Sequence, residues 1–186
     1  MQNTILEQIQ KHSNFNVKKK GVISRSVKLE RYKTLGTNEK LLLKNLDKFE
    51  APYLQEKLLK EKILTSTEEY QEAFKEFKKY IALVGIYHKK LAMTSKAVDN
   101  IWHQFILFTR QYCKFCGDFL GFYLHHVPKT SYTPLNKENE KEFTKLYKET
   151  YTQVNKLWNI KPNCSSRNSG CSSSGMCGSS DCSGGG

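Results

Sequence analysis

The sequence predicts an all-α protein, a small bundle of four to five helices, from two features of its central section. Apolar residues between positions 38 and 158 recur at spacings of three and four, the period of an amphipathic helix. Residues typical of helix starts and ends separate these stretches. The chain has 186 residues, including 10 Phe, 10 Tyr and 2 Trp, which suffices to fill the core of one domain.

Two helical regions are expected before residue 92. The first begins at a capping residue, Asn38, and Pro52 either interrupts it or opens a further helix at its first turn. The second is the clearest helix of the chain, because the sequence TSTEE at residues 65–69 offers two alternative capping boxes. Its apolar residues form one seam that we expect to be buried: Tyr70, Phe74, Phe77, Ile81, Val84, His88 and Leu91.

Three more helices are expected after this seam. Thr94 or Ser95 can cap the first of them. A short helix over Thr109–Phe119 is expected to end near Gly121, because glycine readily adopts the left-handed conformation of a helix terminus. The last helix is predicted over Lys137–Trp158, where Glu–Lys pairs accompany an apolar side.

The two ends of the chain are expected to lie outside this helical domain, which we assign to residues 38–162. Residues 1–37 form a weakly structured basic arm, and its alternation over residues 22–35 suits either a short strand or a docked arm. Residues 163–186 contain nine Ser, six Gly and four Cys. Such a composition buries too little surface to offset its ordering entropy, so this tail is expected to be disordered.

The charge and the cysteines limit the class of protein. A net charge of +12 favours contact with anions, including nucleic acid or acidic lipid, although lysines interleaved with Glu are also typical of a solvated surface. No stretch reaches the apolar length of a membrane span, and the N-terminus lacks the apolar core of a signal peptide. We therefore expect a cytoplasmic protein whose cysteines are reduced.

Chemically active residue types are concentrated between Ser95 and Pro128, which contain three of the five histidines. Asp99 and His103 are four residues apart, so they share one face of a helix. Oxygen, nitrogen and sulfur ligands of this kind suit Zn²⁺, or Fe²⁺ where two His and one carboxylate leave open positions. The expected metal ligands are Asp99, His103, His125, His126 and Cys116, with one of the two adjacent histidines binding the ion.

Two other interpretations of these residues stay open. The same side chains can form a polar network in the core, in which Asp99 accepts a hydrogen bond from a histidine. They can also perform acid–base or nucleophilic catalysis, with Cys116 as an activated thiolate beside a histidine. Four further residues are expected to support the site from a second layer: His88, Trp102, Thr109 and Tyr112.

The stretch VDNIWHQFILFTRQYCKFCGDFLGFYLHHVP at residues 98–128 resembles the signature of the glycine-rich domain-containing protein-like family. The resemblance covers roughly residues 65–130. A histidine common in that family is replaced here by Phe105, and Cys113 is an addition. The resemblance implies no established reaction. The matching residues are Val98-Asp99, Trp102-His103, Thr109, Tyr112, Cys116, Gly121 and His125-His126 before Pro128.

The function expected from the sequence is a binding or scaffold module with a protein partner and a structural Zn or Fe ion at Asp99, His103 and His126. A metal-dependent enzyme using the same cluster is the first alternative, and nucleic-acid binding through the basic surface is the second. If His103 is a metal ligand or a buried member of the polar network, we expect the substitution His103→Ala to destabilise the domain strongly. The tail cysteines suit a cluster for soft metals, a modified substrate peptide or an ordinary tail: Cys164, Cys171, Cys177 and Cys182.

Overall fold

The protein is helical throughout the part of the chain that the computed structural model describes, which is residues 22–128, 130–132 and 134–160. The expected all-α class is confirmed, and these residues contain no strand beyond one isolated bridge. None of their helices is long and apolar enough to cross a membrane. The helices are α1 (Val22–Ser26), α2 (Leu29–Thr34), α3 (Thr37–Lys48), α4 (Pro52–Lys60), α5 (Thr67–Tyr87), α6 (Lys96–Leu107), α7 (Thr109–Phe119), α8 (Lys137–Thr150) and a 3-10 helix (Lys156–Trp158).

The described chain has eight α-helices rather than four or five, partly because the end of the basic arm is itself helical. The short helix α1 docks on α3 through Asp47, whose carboxylate accepts hydrogen bonds from the backbone N–H groups of Ile23 and Ser24. Ile23 is fully buried. Residues 22–34 therefore form two docked helices, while residues 1–21 of the arm and the expected tail over residues 163–186 lie outside the described residues.

The long helix α5 packs against α3, α4 and α6. Ser66 caps its start by accepting a hydrogen bond from the backbone N–H of Glu69 at 3.2 Å, as one of the two capping boxes predicts. The Glu69 carboxylate accepts from Thr65 instead of from the Ser66 backbone. The helix ends at Tyr87 because His88 adopts the left-handed conformation with φ of 51°. The expectation that His88 belongs to the buried seam is wrong, since its side chain is exposed.

The helix expected over Lys137–Trp158 is shorter than expected and ends at Thr150. Tyr151 is extended and forms an antiparallel bridge with Val27. The backbone N–H of Lys28 donates to the carbonyl of Thr150 at 2.8 Å. The chain after Thr150 thus pairs with the segment between α1 and α2 and does not continue as a helix. This pairing is a tertiary contact, which the local sequence pattern does not indicate.

Aromatic rings fill the core between α5, α6 and α7. The ring of Phe77 lies 6.5 Å from that of Trp102 and 6.1 Å from those of Phe105 and Phe115, measured between centroids. Phe77 and Phe105 are fully buried. This contact fixes one face of α6, so the opposite face of α6 is available to carry polar side chains.

A buried ion pair lies on another side of α5, between that helix and the C-terminal end of the described chain. Glu76 is fully buried, and its carboxylate accepts hydrogen bonds from Tyr147 Oη at 2.6 Å and Trp158 Nε1 at 2.7 Å. Lys79 Nζ donates to the same carboxylate at 2.8 Å. Desolvation lowers the pKa of Lys79, and the Glu76 carboxylate opposes that shift. The network ties α8 and the 3-10 helix to α5.

We expect Glu76→Leu to lower the free energy of unfolding by about 3–5 kcal/mol, because Lys79 would stay buried without its carboxylate. The double variant Glu76→Leu/Lys79→Met removes both charges and should recover at least about 1 kcal/mol of that loss. Urea denaturation of both variants measures the difference. A single variant as stable as the unmodified protein would contradict the expected role of the pair.

Candidate metal centre

The solvent-facing side of α6 carries the first two residues of the site. Ser95 caps this helix by accepting a hydrogen bond from the backbone N–H of Val98 at 3.4 Å. Val98 and Trp102 then lie on the buried face. Asp99 and His103 are four residues apart on the opposite face, and Asp99 lies in the first turn, where the helix dipole favours a carboxylate.

The third residue, His126, is brought back to α6 by the loop after α7. This loop begins at Gly121, whose φ of +77° is a left-handed conformation that glycine adopts without strain. Tyr112 Oη donates a hydrogen bond to the carbonyl of Leu124, two residues before the histidine. Trp102 Nε1 in turn donates to Tyr112 Oη at 2.8 Å. These two hydrogen bonds fix the loop against α6.

The Asp99 carboxylate contacts both imidazole rings, one through each oxygen. Its Oδ1 is 2.8 Å from His126 Nε2, and its Oδ2 is 3.6 Å from His103 Nδ1. The ligand atoms of the three residues all lie within 4.8 Å of one another. The exposed fraction of the side chain rises from 8% for His126 to 31% for Asp99 and 45% for His103. His126 is therefore largely buried in the protein, whereas His103 faces solvent.

This donor set suits a divalent transition metal. Two imidazole nitrogens and a carboxylate oxygen are found in zinc sites and, with open positions, in non-haem Fe²⁺ sites. Tetrahedral coordination at bond lengths of about 2.0–2.1 Å separates ligand atoms by about 3.3 Å. The two nitrogen–oxygen separations at Asp99, 2.8 Å and 3.6 Å, lie on both sides of that value, so their spacing is compatible with coordination of one ion. Without an ion, His126 Nε2–H can donate to Asp99.

The other two expected ligands lie away from this cluster. His125 is exposed, and its ring contacts that of Tyr123 with centroids 4.8 Å apart. Cys116 is only 1% exposed and lies in the core beside Tyr112. Burial raises the pKa of the Cys116 thiol, which disfavours the thiolate that a nucleophile or a metal ligand requires.

Two of the four residues expected in a second layer lie at the site, and the other two do not. Trp102 contacts the His126 ring edge-on, with centroids 4.6 Å apart, and Tyr112 anchors the loop. Thr109 and His88 are exposed at helix ends. Sequence reasoning missed Leu124, because a backbone carbonyl leaves no signature in the residue types.

The exposure of His103 changes the expected effect of removing it. Its ring contacts the His126 ring at 4.3 Å between centroids and lies 3.6 Å from the Asp99 carboxylate. Nearly half of its side chain remains exposed. The strong destabilisation expected for His103→Ala from the sequence therefore has little basis in packing.

Comparison with family models matches residues 42–178 to the family described as UCP032817-like. No curated protein and no solved structure matches the chain. The resemblance to the glycine-rich domain-containing protein-like family is therefore wrong, because the model that matches this region belongs to another family. The residues that carried the resemblance include Trp102, Tyr112 and Gly121, which have structural roles in the loop and core. Their spacing alone does not identify a family.

We expect Tyr112→Phe to lower the free energy of unfolding by about 1–3 kcal/mol, because the Trp102 N–H and the Leu124 carbonyl would lose a buried partner. Tyr123→Phe is the matched control: Tyr123 is exposed in the same region, so its hydroxyl should contribute less than about 0.5 kcal/mol. Thermal and urea denaturation compare the two. Equal stability of both variants would show that the hydrogen bonds of Tyr112 do not hold the loop.

Proposed function

The chain belongs to the UCP032817-like family, and we propose that it is a helical binding module that holds one divalent transition metal ion, Zn²⁺ or Fe²⁺. The ligands are Asp99, His103 and His126. The observation that carries the proposal is the convergence of their three ligand atoms within 4.8 Å. Asp99 and His126 are 27 residues apart in the chain, so the fold and not the local sequence creates this convergence.

The second histidine favours a metal over a hydrogen-bond network alone. A network needs only the contact between His126 and Asp99, which already gives both side chains a partner. His103 adds little to the core, because it is nearly half exposed. It does face the free side of the Asp99 carboxylate at 3.6 Å. A third donor atom on the solvent side of a carboxylate–imidazole pair is what metal coordination requires.

The surroundings of the cluster support a role in binding a protein partner. Leu107 follows His103 by one helical turn and is exposed, and Val127 directly follows His126 and is also exposed. Phe122 and Tyr123 in the same loop are partly exposed as well. Apolar side chains around a polar centre are typical of surfaces that a partner covers.

A metal-dependent enzyme is the second candidate function, and the exposure of the site favours it. Three protein ligands leave at least one coordination position for water or substrate, as in catalytic zinc sites. The solvent-facing side of His103 provides access to that position. Hydrolysis of a panel of esters, amides and phosphate esters by the zinc-loaded protein would test this candidate.

The metal site is tested by a pair of variants at adjacent histidines. We expect His126→Ala to weaken zinc binding by at least roughly 100-fold, since even the loss of an outer partner costs 10–100-fold. His125→Ala is the matched control, because His125 is exposed and outside the cluster, and it should bind zinc as the unmodified protein does. Competition with a chromophoric chelator measures both affinities.

The comparison is made on full-length protein, so the tail cysteines contribute equally to both variants. Absence of zinc binding in the unmodified protein would refute the proposal. Equal losses in the two variants would also refute it, because the effect would then not depend on the cluster.

A further inference from the structure

One side of α8 carries a row of basic side chains, the lysine strip, which consists of Lys137, Lys141, Lys145 and Lys148. Because a helix turns by about 100° per residue, these spacings place the four side chains within a sector of about 80° around the helix axis. The first three lysines are exposed and Lys148 is half-buried. The strip lies opposite the side of α8 that packs in the core, formed by Phe143, Leu146, Tyr147 and Thr150.

The acidic residues of α8 lie beside the lysine strip and not within it. All four glutamates of the helix fall outside the sector of the lysines. The hydrogen bond from Lys89 and, to a smaller extent, the charge of Lys145 lower the pKa of Glu142. Within the strip, Lys141 has a like charge four residues away on either side, a spacing that destabilises a helix. An anionic partner would relieve this repulsion.

The lysine strip continues past the end of α8 into a cleft of about 570 Å³. Lys28 reaches this cleft and donates a hydrogen bond from Nζ to the carbonyl of Lys148. Lys156 of the 3-10 helix lines the same cleft, and no carboxylate is among the described residues around it. Six lysines therefore line the strip and the cleft together, against two glutamates, Glu140 and Glu149. Positive charge predominates over the whole surface.

The length of the lysine strip fits the phosphate backbone of a nucleic-acid duplex. At about 1.5 Å per residue, the helix rises about 16.5 Å from Lys137 to Lys148. One strand of a duplex carries a phosphate about every 3.4 Å along its axis, so the strip faces about five phosphates. Proteins that bind single strands add aromatic side chains on which bases stack. Among the described residues that line the strip, none is aromatic.

The burial of the apolar side of α8 favours a nucleic acid over an acidic membrane. A helix that lies on a membrane inserts an apolar face between the lipids while its basic face contacts the headgroups. In α8 the apolar side is used in the core, where Phe143 and Tyr147 are fully buried. The helix therefore presents charge to a partner and no apolar face to insert.

We propose that the lysine strip, together with Lys28 and Lys156, binds the phosphate backbone of a nucleic-acid duplex without regard to base sequence. This function is additional to the proposed metal site, because it uses none of the three residues of that cluster. Each lysine that contacts a phosphate releases a condensed counterion, so the affinity falls steeply as the salt concentration rises.

Fluorescence anisotropy of a labelled DNA duplex of about 20 base pairs, two helical turns, tests the proposal over a series of salt concentrations. The test variant is K141Q/K145Q, in the exposed middle of the strip. The matched control is K44Q/K60Q, which removes two exposed lysines from α3 and α4. Glutamine and lysine have similar helix propensities, so both variants should fold, as circular dichroism checks. All proteins are full-length, so basic residues elsewhere contribute equally.

We expect K141Q/K145Q to bind the duplex at least about tenfold more weakly at low salt. The slope of log affinity against log salt concentration should become shallower by about 1.8, which is about 0.9 for each lost phosphate contact. K44Q/K60Q should match the unmodified protein in both quantities. A single DNA strand of the same length should bind more weakly than the duplex, because its charge density is lower.

Equal affinities and equal slopes of the two double variants would overturn the proposal, because Lys141 and Lys145 would then contact no phosphate. Absence of duplex binding by the unmodified protein at low salt would overturn it as well. Sedimentation with vesicles that contain phosphatidylserine tests the membrane. A loss in K141Q/K145Q that affects vesicle binding and leaves duplex binding unchanged would assign the strip to an acidic membrane. Tighter binding of the single strand would contradict the choice of a duplex.

Discussion

The hydrogen bonds of the Tyr112 hydroxyl determine the site, because they join three elements that are separate in the sequence. The hydroxyl accepts from Trp102 of α6 and donates to the carbonyl of Leu124 in the loop after α7. Burial raises the pKa of Tyr112, so its hydroxyl stays protonated and remains a donor. With the loop fixed in this way, His126 comes to lie against Asp99 at 2.8 Å.

The two faces of α6 have different roles: one packs in the core, and the other carries the polar side chains of the cluster. The buried face, with Trp102 and Phe105, packs on Phe77 of α5 and holds the helix in place. The exposed face presents Asp99 and His103. Asp99 and His126 are hydrogen-bonded to each other, so each of these two side chains has a polar partner within the fold.

The sequence predicted the parts of the fold that depend on local pattern. The period of apolar residues and the cap at Ser66 located α5, and the spacing of Asp99 and His103 predicted a shared face. The choice of His126 over His125 depends on how a loop returns, which residue types do not encode. Glu76 and Lys79 are both buried, which the local sequence pattern does not indicate, because their burial depends on the distant Tyr147 and Trp158. The end of α8 likewise depends on a distant partner, the segment between α1 and α2.

The most direct test of the metal site is a crystal structure of the zinc-loaded protein with anomalous data collected on both sides of the zinc absorption edge. We expect one anomalous peak per chain within about 2.0–2.2 Å of Asp99 Oδ, His103 Nδ1 or Nε2 and His126 Nε2. A well-ordered loop with His126 hydrogen-bonded to Asp99 and no peak between them would contradict it. The three side chains would then form a polar network that fastens the loop to α6.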